Sequence, residues 1–411
     1  MPTFDEARQI ILANIRPLGV ERVSILEAAG RVLAEDIVAP WCMPQCDNSA
    51  MDGFAVRSDD CSSLPASLRI TGYIPAGGEI CGEVEPGCAI RIMTGAPVPP
   101  GCDGVVPVEE TREEGDQVFI LEPVKSGQHI RFTAEDVQTG ETIIPAGTLL
   151  RTAEISMLAS FGRALVPVYR RARVAILSTG DELVEMGEPV TPGRIINSNS
   201  LSLAAAVREI GAEPVILGIA RDNWESHRSK MVEGLKADAL ITSAGVSAGD
   251  RDLVRIVLDE LGLEQLFWKV EMKPGGPTAF GIHDGKPVFS LPGNPVSSMI
   301  TFEAFARPAL LKMMGHSRLF RPVVSATLMN DMKKKPGKLN LIRVSLESYQ
   351  DGFRAYSSGV QQTALLRTML RADALAVFPS ELQLLEKGSL VQCIILREEL
   401  LMGCEASKCS G

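Results

Sequence analysis

The chain has 411 residues, too many for one small module and room for roughly two to four domains. Acids outnumber bases 51 to 41, the formal charge is −10, and Lys/Arg runs of about five are absent, which argues against duplex DNA or RNA as a partner. Apolar residues at 45% and charged residues at 22% match soluble globular proteins, so an ordinary core is available and extended disorder is not expected.

Thr3 followed by Glu6 is a capping-box pair, and Phe4, Ala7, Ile10, Ile11 and Ile15 recur at helical spacing until Pro17 and Gly19, which predicts an amphipathic opening helix. Residues 46–139 break into short β-prone pieces such as SLRITGYI, CAIRIM, GVVPVEE and QVFILEPV, separated by Gly, Pro and charged turns, so a small β domain is predicted there. A second helical pattern covers 153–162, and with the segment 21–45 it is expected to form a helical connector on both sides of that insertion. From 172 to 310 apolar strands alternate with helices, predicting a mainly parallel sheet covered on both faces whose ligands bind beyond the strands' carboxyl ends. After Pro322 strand-like alternation returns and predicts a separate C-terminal β domain.

No stretch reaches the ~18 apolar residues of a spanning helix, and the N-terminus MPTFDEARQI is acidic early instead of basic then apolar. The expectation is a cytoplasmic protein without membrane association. Nine cysteines are an odd number scattered over a long chain, which points to reduced thiols. Cys42 and Cys46 lack a second Cys pair or a nearby His to complete a zinc site, and only four histidines are present, none close to another.

Three turns at predicted strand ends can carry chemistry. In STGDE (178–182) a glycine permits a tight turn and two acids project from it, so Asp181 and Glu182 are metal or base residues, or else a turn acid and a helix-start acid. In TSAGVSAGD (242–250), Ser243, Gly245 and Ser247 give a glycine and hydroxyl loop suited to phosphate before a helix, although no Walker lysine or GxGxxG is present; the alternative is a solvated turn capped by Asp250 or Asp252. In LPGNPVSS (291–298), Pro292 and Pro295 stiffen a corner, Gly293 and Asn294 allow close approach, and Ser297 and Ser298 can donate near the helix start; a purely structural turn would use similar residues. Upstream, Lys269 and Lys273 can neutralise phosphate or merely solubilise. Asp52 before Gly53 and Thr94 in RIMTGAPVP mark two further polar turns in the β region.

The ordered series DNSAMDGFAVR, RIMTGAPVP, AEDV, STGDEL, INSNS, GVSAGDRD, KPGGP and LPGNPVSS resembles the molybdopterin molybdenumtransferase family, bacterial MoeA and the gephyrin E domain, from the opening helix to about residue 400. The resemblance implies a homodimer of four-domain subunits. In this chain the divisions are an α/β molybdopterin-binding domain (1–20 and 171–320), a helical connector (21–45 and 140–170), a β insertion (46–139), a C-terminal β domain (321–400) and a tail (401–411). It also implies the reaction: molybdate enters the dithiolene of adenylylated molybdopterin, and molybdenum cofactor and AMP leave. By motif matching, Asp52, Thr94 and Asp136 come from the β side of the other subunit, Glu182, Asp222, Asp252, Lys269, Lys273, Pro292 and Pro295 line the α/β side, and Arg343 is the C-terminal contribution. Gly276 stands where many relatives carry lysine, and Ala248, Arg251, Cys102 and Gly104 also depart from the usual pattern.

So many acids facing an anionic substrate require a counter-ion, because one like-charge pair at 4 Å costs about 4 kcal/mol at an effective dielectric near 20. Mg²⁺ is the expected ion, with Asp181, Asp222, Asp250 and Asp252 as candidate ligands and with Glu182 or Asp52 left to orient a proton or water. Two other roles are weighed: a non-catalytic molybdopterin-binding scaffold, and a pterin adenylyltransferase. The molybdopterin adenylyltransferase is also a possible partner.

Overall fold

The computed structural model describes residues 1–80, 82–245, 253–349 and 352–401. The chain divides into two compact units, one of residues 1–34, 147–151 and 165–411, the other of 35–146 and 152–164.

The first unit is built on a six-stranded sheet. Its strands Glu213–Ala220, Arg173–Thr179, Ala239–Ser243 and Lys286–Leu291 lie side by side in that order and parallel, and Ala279–His283 and Glu264–Phe267 extend it antiparallel. Successive side chains of a strand face opposite ways, and here both ways are apolar. Val174, Ile176, Ala239, Ile241, Phe289 and Leu291 pack on one face with the helices Phe4–Ala13, Ser198–Glu209, Pro295–Thr301 and Arg307–Met313. Ala175, Leu177, Leu240 and Val288 pack on the other with the helices Trp224–Gly234 and Leu253–Glu260. The result is a three-layer α/β domain with a mainly parallel sheet. The opening helix has the Thr3/Glu6 capping box, Thr3 N–H donating to Glu6 Oε2 at 2.8 Å and Glu6 N–H to Thr3 Oγ1 at 3.3 Å.

The C-terminal part of the same unit is a closed barrel. Leu339–Tyr349 pairs with Gly352–Ser357, then come Val323–Leu328, Leu390–Ile395 and Ala374–Phe378, which returns to pair with Leu339–Tyr349. Closure leaves the five strands no free edge. Leu328, Val344, Ala355, Phe378, Cys393 and Ile395 fill its interior. The two-residue strand Met272–Lys273 runs parallel to the start of Leu339–Tyr349 and ties the α/β layer to the barrel.

The second unit carries the mixed six-stranded sheet Gly104–Pro107, Gly53–Val56, Cys88–Ile92, Ala66–Ile74, Gln117–Ile120 and Thr111–Glu114, in that spatial order. Phe54, Val56, Val106, Val118 and Ile120 form one of its cores.

The expected helical connector is different in structure from the sequence reading. Its one helix is Thr152–Ser160, and 21–45 has none. Val20–Ser24 pairs instead with Leu165–Tyr169, and Ile37–Val38 with Thr142–Ile144. Val20, Arg22 and Ser24 are exposed and alternate with half-buried Glu21 and Val23, a strand period, and Pro40 and Pro44 stop any helix from running on. Among the described residues no helix is long and apolar enough to cross a membrane.

Candidate active site

The carboxyl ends of three neighbouring parallel strands open into a cleft of about 450 Å³. Ser178 and Thr179 come from the first strand, Ser243, Ala244 and Gly245 from the second, and Pro292, Gly293, Asn294 and Pro295 from the third. Glu182 and Leu183 follow the first strand, and Ile195, Ile196, Asn197, Ser198 and Asn199 lead into the helix Ser198–Glu209. Pro277 completes the lining. The three turns singled out in sequence therefore converge because their strands are adjacent in the sheet.

The asparagines are what the sequence reading left without a role. Asn197 is the N-cap of the helix Ser198–Glu209; its Oδ1 accepts from Ser178 Oγ at 2.8 Å and from Ser200 N–H at 3.4 Å. Asn199 Nδ2 donates to Ser243 Oγ at 2.8 Å and to the Gly293 carbonyl at 2.7 Å, so one side chain staples two of the turns together. An Asn ahead of the run LSLAAAV is the signal that marks the cap.

Asp181 and Asp222, at the ends of two adjacent strands, form a reciprocal clasp. Asp181 N–H donates to Asp222 Oδ2 and Asp222 N–H to Asp181 Oδ1, each at 3.2 Å. One carboxylate oxygen of each acid is used this way, and the second remains for a hard cation. Both acids are exposed. Among the described residues there is no group of three His, Cys, Asp or Glu able to hold a metal. Two oxygen donors with open positions suit Mg²⁺, which commonly binds one or two carboxylates with substrate phosphates and water. Ser247, Asp250 and Asp252 lie outside the described residues.

The remaining sequence expectations divide. Glu182, Ser243, Gly245, Pro292, Gly293, Asn294 and Pro295 line the cleft. Ser297 does not; it is buried in the first turn of its helix, beside a fully buried Ser298. Lys269 and Lys273 are exposed on the segment leading to Pro277 and are not lining residues. Arg343 is 1% exposed and its Nη2 faces the carbonyls of Val360 and Gln362 at 3.4 and 3.3 Å. Burial draws its pKa below the usual guanidinium value.

In the second unit, Asp52 Oδ1 accepts from both Thr94 N–H and Thr94 Oγ1, each at 2.7 Å. Those two donors hold the Asp52 carboxyl below the usual carboxylate range. Asp47 and Thr133 repeat the geometry at 2.7 Å, a pair the sequence reading did not name. Asp136 is exposed in the following turn, its N–H on the Met43 carbonyl at 3.0 Å. Burial and neighbouring acids push the Cys61 and Cys102 thiols up to about 11 and about 12.

Three family models cover nearly the whole chain: MoeA N-terminal region (domain I and II) over residues 2–162, probable molybdopterin binding domain over 175–312, and MoeA C-terminal region (domain IV) over 325–396. Molybdopterin molybdenumtransferase 2 of Mycobacterium tuberculosis is 38% identical over 404 residues, spanning 95% of this chain and 99% of that protein. The chain belongs to the molybdopterin molybdenumtransferase family. Members of this transferase family also include the Nostoc molybdopterin molybdenumtransferase, 37% identical over 393 residues and covering 92% of this chain and 90% of that one. The crystal structure of the molybdopterin biosynthesis MoeA protein from Pyrococcus horikoshii superposes with a TM-score of 0.80 at 30% identity, covering 96% of this chain and 100% of that chain. The molybdenumtransferase likeness thus extends through both compact units and the barrel.

Proposed function

We propose that this chain inserts molybdenum from molybdate into adenylylated molybdopterin and releases AMP, as a step of molybdenum cofactor biosynthesis. The observation that carries the reading is the strand-end cleft, because its lining from Ser178 to Pro295 falls within the residues that match the probable molybdopterin binding domain.

The residues divide the work by their chemistry. Backbone amides and hydroxyls at Ser243, Gly245 and the start of the helix Ser198–Glu209 receive the phosphate groups. Ile195, Ile196 and Leu183 offer an apolar wall to a planar ring. Pro292 and Pro295 hold Asn294 in a fixed corner. Lys269 and Lys273, exposed nearby in sequence, add positive charge without closing the cleft. Glu182 orients the attacking water or a proton. Asp181 and Asp222 would hold Mg²⁺ through their outer oxygens, and the ion supplies charge neutralisation for the phosphoryl oxygens when bound. A homodimer in which Asp52, Thr94 and Asp136 serve the partner protomer's substrate is part of this reading and rests on the family resemblance.

The test is AMP release from adenylylated molybdopterin on addition of molybdate, with ATP absent. The proposal expects stoichiometric AMP and its loss in Glu182→Ala. Binding without AMP release would establish a scaffold instead, and ATP consumption with pterin adenylylation would establish an adenylyltransferase.

A further inference from the structure

We propose that Gly180 and Arg221 are positioning residues for Glu182, fixing its carboxylate in the cleft without themselves touching substrate. The inference rests on Glu182 acting on the substrate, as proposed above.

The Glu182 side chain lines the cleft but has no hydrogen-bond or ion-pair partner among the described residues. A glutamate left so loses rotamer freedom when it is ordered, and its backbone and its packing must do the ordering. The backbone on either side is held by one guanidinium. Arg221 Nη1 donates to the Leu183 carbonyl at 2.8 Å and to the Asp181 carbonyl at 3.4 Å, the two residues that flank Glu182. Arg221 is itself seated by its N–H on Ser226 Oγ at 3.0 Å. The Asp181–Asp222 clasp adds two bonds, Gly180 N–H donates to the Ala220 carbonyl at 3.1 Å, and Ile195 N–H donates to the Glu182 carbonyl at 2.9 Å. The turn is thus locked to the end of the neighbouring strand on one side and to the cleft wall on the other.

The packing comes from Gly180. Its φ is +137°, a conformation that L side chains rarely adopt, and the Glu182 carboxyl folds back over its bare Cα. A Cβ at this position would stand 2.7 Å from both Cδ and Oε1 of Glu182. The three atoms nearest to that Cβ all belong to this one carboxyl group. Alanine would therefore strain the turn at this φ and evict the carboxylate, which is the far end of a flexible side chain.

The experiment measures kcat and KM for AMP release in Gly180→Ala and Arg221→Lys, each made in the natural chain and in Glu182→Asp, whose shorter arm no longer reaches over Gly180. Thermal melts accompany each variant. The expected result is a 10- to 100-fold lower kcat for both single variants with KM within about threefold, and less than a twofold further change in the Glu182→Asp background. Losses that multiply in that background would overturn the inference, as would a Gly180→Ala protein with unchanged kcat. If Gly180→Ala fails to fold, the Arg221→Lys cycle decides the question by the same criteria. Full activity in Glu182→Ala would sink the assignment of Glu182 itself, whereas inactive Glu182→Ala beside fully active Gly180→Ala and Arg221→Lys would sink only the positioning roles.

Discussion

Asp52 and Glu182 were equivalent acids in sequence, and their surroundings separate them. Two donors from Thr94 hold Asp52 ionised below the usual carboxylate range, so at neutral pH it has no proton to give and little affinity for one. Asp52 is thus a fixed anion held by Thr94, whereas Glu182, in the cleft, has no such donor among the described residues. The sign of the linkage follows: a lowered folded-state pKa contributes stability that is present above the ordinary carboxylate range and lost as pH falls through the lowered value. Thr94→Val, which removes the hydroxyl donor and keeps the amide, should raise the Asp52 pKa in a carbon-13 carboxyl titration; an unchanged titration would contradict the account. Asp52 was legible because it precedes Gly53 in a polar loop, but its partner lies 42 residues away and only the fold brings them together. Asn199 was likewise visible in INSNS yet without a role until its two acceptors were seen. Asn199→Ala should cost about 1–2 kcal/mol in a denaturant melt and raise KM, because Ser243 and Gly293 lose their common donor. A melt and a KM both unchanged would show the staple to be idle.

Elements were readable where one local signal sufficed. The Thr3/Glu6 capping box marked the first helix, and the apolar runs VAILS and ALITS marked strands buried on both faces. The segment 21–45 was misread because its exposed, half-buried alternation is weak and its strands are completed by partners more than 100 residues later. Barrel closure was also hidden, since the pairing of Leu339–Tyr349 with Ala374–Phe378 is a matter of register, not composition. The sheet faces give an element-scale prediction. Leu177 is fully buried in the core shared with the helices Trp224–Gly234 and Leu253–Glu260, so Leu177→Ala should cost about 2–5 kcal/mol in chemical denaturation. A cost below about 1 kcal/mol would mean that this layer is not packed as described.

For the whole molecule, the residues proposed to act on the substrate lie in two compact units, Asp52 and Thr94 in one and Glu182 with the cleft in the other. Under the homodimer proposal, mixing inactive Asp52→Ala with inactive Glu182→Ala and allowing exchange should restore part of the activity, followed as AMP release. No recovery after confirmed exchange would mean that each protomer works alone. The acids that the family resemblance turns toward an anionic substrate are what first called for a cation, and Asp181 and Asp222 are the described pair proposed to hold it. The most direct measurement is calorimetric titration of adenylylated molybdopterin into metal-free protein, with and without Mg²⁺, for the natural chain and for Asp181→Asn/Asp222→Asn. The account predicts at least tenfold tighter binding with Mg²⁺ in the natural chain and no such gain in the double variant; equal affinity with and without the ion in the natural chain would contradict it.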